Sequence, residues 1–218
     1  MNFPILYSFK RCPYAMRARM ALNLANIKSE IREVRLNNKP KHMIEVSPKG
    51  TVPILILENE VIDESNDIIN WVLDKNNIFK NKLDHNQKTL TENLIQTFDS
   101  KFKYHLDRYK YSSRYENVDI KLHRSECLKI LFKLEKYISC EKSKWIFGNN
   151  INKLDICVLP FIRQFKIADP KWFNQREKIK KVRNVLNNFI DSNLLKQIMH
   201  GYRVWNEDDD PVYFPLDE

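Results

Sequence analysis

Over the first 75 residues, short apolar runs typical of strands alternate with apolar residues at the three-to-four-residue spacing of helices. Short apolar runs at residues 3–8 and 53–57 predict strands, and the second run, apolar throughout, is typical of a central strand covered on both faces. Two apolar stripes at helical spacing predict a helix over residues 13–26 that is covered on two sides. A less regular strand is predicted over residues 30–36, and a tight turn leads into a short strand at residues 61–62.

A helix that Ser65 can cap is expected next, and it reaches about residue 75. The order is therefore strand, helix, strand, a variable segment, two strands and a helix. The first half is a parallel β-α-β unit, and the second half is an antiparallel hairpin followed by a helix. This order predicts an α/β, thioredoxin-like domain over residues 1–75.

The rest of the chain shows helical periodicity and no strand-rich stretch. Residues 76–86 are polar and are predicted to be a linker, and residues 87–218 are predicted to form an all-α domain. The core helix of that domain opens at Asn152, and Asp155 supplies the acid of a capping-box variant. The tail from residue 204 is expected to be irregular. Further helices are expected over residues 85–109, 119–140, 172–190 and 194–200.

Composition narrows the class of protein. With 218 residues, 43% hydrophobic and 30% charged, the chain fits a soluble globular protein of one large or two small domains. It shows neither a membrane-length apolar run nor a signal peptide, so a cytoplasmic location without membrane contact is expected. The net charge of +9 is scattered rather than arranged in a basic stripe, which argues against nucleic acid as a partner. Three glycines are too few for glycine-rich phosphate loops.

Cys12 carries the clearest chemical signal. An apolar run ends shortly before it, and a helical pattern begins at Pro13, a residue favoured at the first helical position. Cys12 is then the N-cap, where free N–H groups and the helix dipole favour the nucleophilic thiolate. Arg11 and Arg17 are close in sequence and could add to this effect. The alternative is a small apolar residue that only begins a helix.

The spacing of the four cysteines does not indicate a metal site. They form no Cys-x-x-Cys pair and lack a histidine at zinc-site spacing, so no metal is expected. We predict core or surface positions for Cys127, Cys140 and Cys157.

Four short motifs, taken in order, resemble those of one enzyme family. Cys12-Pro13-Tyr14-Ala15 resembles a glutaredoxin active site whose second cysteine is replaced by alanine. The other three motifs are Asn38-Lys39-Pro40, Ser47-Pro48-Lys49-Gly50-Thr51-Val52-Pro53-Ile54-Leu55 and Asp63-Glu64-Ser65. Their spacing is similar to that of cytosolic glutathione transferases, most of all the cysteine-type group that includes the omega class. The resemblance covers the whole chain, and it implies the fold predicted above, glutathione as co-substrate and a homodimer.

The resemblance also implies residue roles. It makes Cys12 the catalytic residue, with Pro13 and Tyr14 completing the active-site motif. It implies a glutathione site formed by Lys39, Val52, Pro53, Glu64 and Ser65. One departure is Asn152, which stands where many relatives carry Ser or Thr; the capping chemistry survives that change.

Each binding residue has a physical rationale. Val52 would offer its N–H and C=O to the cysteinyl part of glutathione like an added strand, and the resemblance implies a cis bond before Pro53. Ser65, at a helix start, would take the γ-glutamyl carboxylate, and Glu64 would pair with the ammonium or orient the site. Lys39 would reach the glycyl carboxylate. The structural alternatives are an edge strand beginning at proline, plain helix capping, and one exposed lysine among many.

The pocket for the second substrate is less well defined by the sequence. The resemblance places it between the domains, beside the catalytic residue. Its candidate residues, by family position, are Tyr104, Tyr109, Tyr111, Phe165 and Trp172. Core packing is the alternative for these aromatic side chains.

A cysteine at this position implies thiol chemistry. Cys12 can attack the glutathione sulfur of a small-molecule or protein mixed disulfide, and a second glutathione then frees the enzyme. Because position 15 is alanine, the prediction is a monothiol, glutathione-dependent thioltransferase or reductase, acting in deglutathionylation or dehydroascorbate reduction. Two alternatives stay open: a transferase that conjugates hydrophobic electrophiles, and a non-catalytic binding module similar to stringent starvation protein A.

Overall fold

The computed structural model describes residues 3–79 and 82–216. Contacts divide the chain into two compact units, Met1–Ile78 with Ser192–Glu218, and Phe79–Asp191. The sequence prediction assigned everything from residue 87 onward to one helical domain, whereas the structure packs residues 192–216 with the first unit. Two residues of the predicted linker, Lys80 and Asn81, lie outside the described residues.

The first unit contains a five-stranded sheet in the order β4-β3-β1-β2-β5. Its strands are β1 (Ile5–Ser8), β2 (Ser29–Glu33), β3 (Ile54–Ile56), β4 (Val61–Ile62) and β5 (Tyr213–Phe214). Strand β1 pairs in parallel with β2, while the β1–β3, β3–β4 and β2–β5 pairs are antiparallel. The mixed sheet confirms the predicted thioredoxin-like layout.

Strand β5 is a correction to the prediction of an irregular tail. Phe214 pairs opposite Ser29, and the N–H of Ile31 donates to the carbonyl of Val212 at 2.8 Å. The Phe214 side chain is buried. This pairing satisfies backbone groups that the edge of β2 would otherwise leave open to solvent.

A second contact of the C-terminal segment lies on one face of the sheet. The Trp205 ring packs edge-on against Tyr7 of β1, with centroids 5.9 Å apart, and the Arg32 guanidinium lies 4.3 Å from the Trp205 centroid. Trp205 belongs to the same apolar cluster as Tyr7, Val52 and Cys12. The segment therefore covers the sheet face beside the predicted catalytic cysteine.

The described part of the first unit also contains helices α1 (Pro13–Leu24), α2 (Lys41–Val46), α3 (Ser65–Lys75) and α10 (Asn193–Ile198). Every residue of α1 from Ala15 to Leu22 is buried, which confirms a helix covered on both sides. Helix α1 packs against α3 and α10. It ends two residues earlier than predicted because Asn26 adopts a left-handed conformation (φ 51°) and the N–H of Ile27 returns to the Leu22 carbonyl.

In the described residues of the second unit, 79 and 82–191, the regular elements are helices joined by loops. Its helices are α4 (His85–Thr97), a π-helical segment (Phe98–Phe102), α5 (Lys103–Lys110), α6 (Ile120–Tyr137), α7 (Lys153–Ala168), α8 (Pro170–Asn174) and α9 (Lys180–Asp191). Helix α7 is buried over most of its length, and the predicted capping box of Asn152 and Asp155 is present at its start. None of the helices in the described residues combines the length and apolar character that crossing a bilayer needs.

Candidate active site

Cys12 lies at the N-cap of α1, as predicted. Its backbone is extended (φ −77°, ψ 123°), Pro13 follows as the first helical residue, and the Cys12 carbonyl accepts from the N–H of Met16 at 2.9 Å. The side chain is half-buried. The thiol makes no capping hydrogen bond to the first turn; its Sγ lies 3.7 Å from the main-chain oxygen of Val52. The sulfur therefore points toward the residue predicted to present its backbone to glutathione.

The Val52–Pro53 bond is cis, as the resemblance implied. Val52 is 6% exposed and lies two residues before strand β3, which pairs with the central strand β1. Its carbonyl oxygen is the atom that faces the Cys12 sulfur. The cysteine at the start of α1 and the backbone entering β3 thus meet at one point of the first unit.

The start of α3 differs from the prediction by one residue. Glu64, not Ser65, occupies the N-cap position (φ −115°, ψ 130°), and its side chain makes no capping hydrogen bond. Ser65 is the first helical residue and is 4% exposed. Its Oγ accepts from Nη1 of Arg17, a buried guanidinium of α1, at 3.4 Å. The α3 start thus has a positive side chain from α1 beside the positive end of its helix dipole.

Arg17 lies beside the predicted glutathione residues, although the predicted set did not include it. Its guanidinium carbon lies 5.2 Å from the ring centroid of Tyr14, so it links the Cys12 motif to Ser65. A fully buried arginine normally requires compensating partners. The signal in the sequence was only its position five residues after Cys12, on a helix covered on two sides.

Arg19 anchors the loop that leads to Cys12. It is buried, forms an ion pair with Glu33 of β2, and donates from Nε to Ser8 Oγ at 2.8 Å. Glu33 also accepts from the N–H of Lys10 at 2.6 Å. Burial lowers the pKa of Arg19, while Glu33 and a negative charge on Cys12 raise it. Arg19 and Glu33 thus tie the end of β1 and the Lys10 backbone to β2, just before Cys12.

Lys49 is a second residue missing from the predicted set. Its Nζ lies 2.9 Å from Asp63 Oδ1 and 2.8 Å from Glu64 Oε1. Ser47 Oγ donates to the other Asp63 oxygen, Oδ2, at 2.7 Å. Hydrogen bonds from Lys49 and Ser47 lower the pKa of Asp63, and the two carboxylates raise the pKa of Lys49. One lysine thus bridges both acids at the start of α3.

Lys39 is exposed and lies along the loop that leads to Val52. Its Nζ is 3.4 Å from the point that a Cβ on Gly50 would occupy. Gly50 has φ +59°, a left-handed conformation that favours glycine. The structure brings Lys39 to this loop, on the same unit as Cys12.

The five aromatic candidates for the second pocket all lie in the second unit, where they separate into groups. Tyr109 and Trp172 pack against Phe165 at centroid distances of 5.3 and 6.0 Å, and Phe165 is 1% exposed. Tyr104 packs instead against His105, and Tyr111 lies under Arg114. Phe165 therefore fills the core of its unit, as the packing alternative expects.

The second unit has a groove of about 490 Å³, and none of these five aromatic residues lines it. It is lined by the first turns of α4 and by Tyr137, Ser139 and Phe147. Across residues 3–79 and 82–216, no three His, Cys, Asp or Glu side chains are grouped so that they could hold a metal ion.

Comparison with known proteins finds a family match in the N-terminal third of the chain. Residues 6–78 match the family model described as glutathione S-transferase, N-terminal domain. Glutathione S-transferase omega-1 of Sus scrofa is 24% identical over 165 residues, which is 75% of this chain and 68% of that protein. The chain is thus similar to omega-1 glutathione transferase over three quarters of its length, at about a quarter identity.

Solved structures show the same fold. A glutathione transferase family member from Pseudomonas fluorescens, crystallised with two glutathione bound, has a TM-score of 0.76 at 18% identity and covers 91% of this chain and 92% of its own. Glutathione transferase Omega 3C from Trametes versicolor has a TM-score of 0.75 at 15% identity, with coverage of 93% and 91%. The thioredoxin-like domain followed by a helical region is thus the glutathione transferase fold.

Proposed function

Because residues 6–78 belong to the glutathione S-transferase N-terminal domain family, we propose that this protein is a glutathione-dependent thioltransferase that acts through Cys12. The observation that carries the proposal is the 3.7 Å approach of the Cys12 sulfur to the Val52 carbonyl. A tripeptide that pairs with the Val52 backbone would lie with its own cysteine beside that sulfur. Cysteine there supports sulfur exchange, whereas a hydroxyl would only hold the glutathione thiolate.

The proposed reaction has two exchanges. The Cys12 thiolate attacks the glutathione sulfur of a mixed disulfide; the new bond joins Cys12 to glutathione, and the substrate leaves as a thiolate. The thiolate of a second glutathione then attacks the glutathione sulfur on Cys12. Glutathione disulfide leaves, and the Cys12 thiolate is restored. In sum, the mixed disulfide and one free glutathione yield the substrate thiol and glutathione disulfide.

Polar groups of the first unit suit the ends of glutathione. Ser65, the N-terminal end of α3 and Arg17 would bind the γ-glutamyl carboxylate, since all three favour an anion. Glu64 would bind the γ-glutamyl ammonium, and Lys39 the glycyl carboxylate. Val52 would bind the central residue through its backbone.

Monothiol chemistry follows from the placement of the cysteines. Cys12 is the only cysteine in residues 1–78 and 192–218. Cys127 and Cys157 are buried in the second unit, where burial raises the pKa of the Cys127 thiol. Cys140 is exposed there. A second glutathione is therefore the proposed resolving thiol.

The test is turnover of a glutathione mixed disulfide with purified protein. Cys12→Ser should abolish turnover, and Cys140→Ser, which removes an exposed thiol of the second unit, should retain it. Equal rates for wild type and Cys12→Ser would refute the proposal. Faster turnover of 1-chloro-2,4-dinitrobenzene than of the disulfide would favour the conjugating alternative. Failure to bind immobilised glutathione would favour the binding module. The homodimer and the cytoplasmic location stay predictions.

A further inference from the structure

The ion cluster at the start of α3 joins one lysine to two acids. Lys49 Nζ contacts Asp63 Oδ1 at 2.9 Å and Glu64 Oε1 at 2.8 Å, so both carboxylates share one ammonium group. The Lys49 side chain is half-exposed, and that of Glu64 is 63% exposed. A ligand arriving from solvent can therefore reach the Lys49–Glu64 pair.

Lys49 has the same charged group as the ligand proposed for this site. The inference rests on the proposed function, in which Glu64 binds the γ-glutamyl ammonium of glutathione. In the structure, the Lys49 ammonium already forms an ion pair with the Glu64 carboxylate. We infer that Lys49 is a built-in competitor for the ammonium of glutathione, a positioning residue that holds Glu64 until the ligand displaces it.

The cluster is arranged so that Lys49 can release Glu64 without losing every partner. Asp63 is the more buried acid, with its side chain 27% exposed, and Ser47 fixes its second oxygen at 2.7 Å. Lys49 can therefore remain on Asp63 when Glu64 turns to the ligand. Exposed ion pairs of this kind contribute little, so their exchange is easily reversible. A lysine ammonium on a flexible stem suits such an exchange better than a bidentate arginine.

The charges needed for competition persist at neutral pH. The two carboxylates raise the pKa of Lys49, which keeps it protonated, and Lys49 and Ser47 lower the pKa of Asp63, which keeps it ionised. The exchange is therefore an ion-pair swap that requires no proton transfer.

The competitor has a consequence for ligand choice. Glutathione must displace Lys49 from Glu64, whereas an analogue without the amino group can bind while Lys49 stays in place. Lys49 thus weakens the affinity for glutathione and speeds the release of a glutathione product. It also neutralises acids that would repel the carboxylates of an amine-free analogue.

Calorimetric titration with two ligands tests the inference. Reduced glutathione and its desamino analogue, glutaryl-cysteinyl-glycine, are titrated into wild type and Lys49→Met. The variant should bind glutathione roughly 2–5-fold more tightly, the size of one exposed ion pair, and should bind the analogue no more tightly than wild type does. Lys41→Met is the matched control, because Lys41 is an exposed lysine paired only locally with Glu45 at 3.4 Å, and it should change neither affinity.

Each other outcome has a definite meaning. Weaker binding of both ligands by Lys49→Met would make Lys49 a direct carboxylate ligand and would overturn the inference, as would unchanged binding of glutathione. If wild type binds no glutathione, the proposed function is refuted together with the inference. If wild type binds glutathione but Lys49→Met binds it no more tightly, only the inference is refuted. Thermal unfolding checks the fold, and Lys49→Gln serves as the second variant if Lys49→Met is unfolded.

Discussion

Arg17 of α1 donates a hydrogen bond to Ser65 at the start of α3, with Nη1 and Oγ 3.4 Å apart and both side chains buried. This contact connects the helix that begins at Cys12 with the helix proposed to hold the γ-glutamyl carboxylate. It therefore gives the proposed glutathione site a buried positive charge that its predicted residues lacked.

Arg17→Met is expected to weaken glutathione binding roughly 10- to 100-fold, the range for loss of one charge-assisted hydrogen bond. Isothermal titration measures the affinity. Arg11→Met, which removes an exposed arginine one residue before Cys12, is the control and should bind nearly as wild type does. Equal affinities for the Arg17 and Arg11 variants would exclude a role of Arg17 in the site.

The ion pair of Arg19 and Glu33 should be a main determinant of the stability of the first unit. Glu33→Gln leaves a buried guanidinium without its counter-charge, so we expect a loss of about 3–5 kcal/mol in the free energy of unfolding. Urea denaturation measures it. Glu45→Gln, on the exposed face of α2, should shift stability by less than about 0.5 kcal/mol. A Glu33 variant as stable as the Glu45 variant would contradict the burial argument.

Two helix caps in the second unit should differ in strength. Asp155 is fully buried and accepts from the N–H groups of Ile146 and Asn152, each at 2.9 Å. Asp155→Ala leaves both donors unpaired, so a loss of about 2–4 kcal/mol is expected. Asp119 caps α6 with one bond at an exposed position, and Asp119→Ala should cost about 1 kcal/mol. Chemical denaturation of both variants gives the ranking, and the reverse order would refute it.

The histidine pair between α5 and α6 should make stability depend on pH. His105 Nδ1 lies 2.8 Å from His123 Nδ1, and burial followed by the charges of His123, Arg108 and Lys129 lowers the pKa of His105, while Glu126 raises it. The unfolded state then binds more protons than the folded state below about pH 6.5. The contribution of His105 to stability should be constant above that pH and should fall as the pH drops toward the lowered pKa of His105.

Urea midpoints between pH 7.5 and 5 measure this effect in wild type and in His105→Gln, which should lose part of the slope. His85→Gln, at an exposed position of α4, is the control and should keep it. An identical slope in wild type and His105→Gln would assign the pH dependence to other groups.

Local patterns in the sequence determined the junction at Cys12, the order of β1 to β4, and the capping box of α7. In each case neighbouring residues carry the signal. At Cys12 these are the apolar run before it and Pro13 after it, and at α7 they are Asn152 and the acid Asp155 three residues later. Such short-range signals define where helices and strands begin. The predicted N-cap of α3, Ser65, is one residue too late, because Glu64 and Ser65 are both compatible with a helix start.

Contacts between distant segments were decided only by the tertiary structure. Phe214 pairs with Ser29 because the edge of β2 offers open backbone groups, and no local feature of an acidic, proline-flanked tail indicates that partner. Arg17 and Arg19 are charged positions on a helix, yet they are buried because partners from α3, β1 and β2 compensate them. Lys49 bridges two acids some fifteen residues away only because the loop before β3 passes the start of α3. Charge pairing and edge pairing depend on which groups folding brings together, and sequence spacing does not encode that proximity.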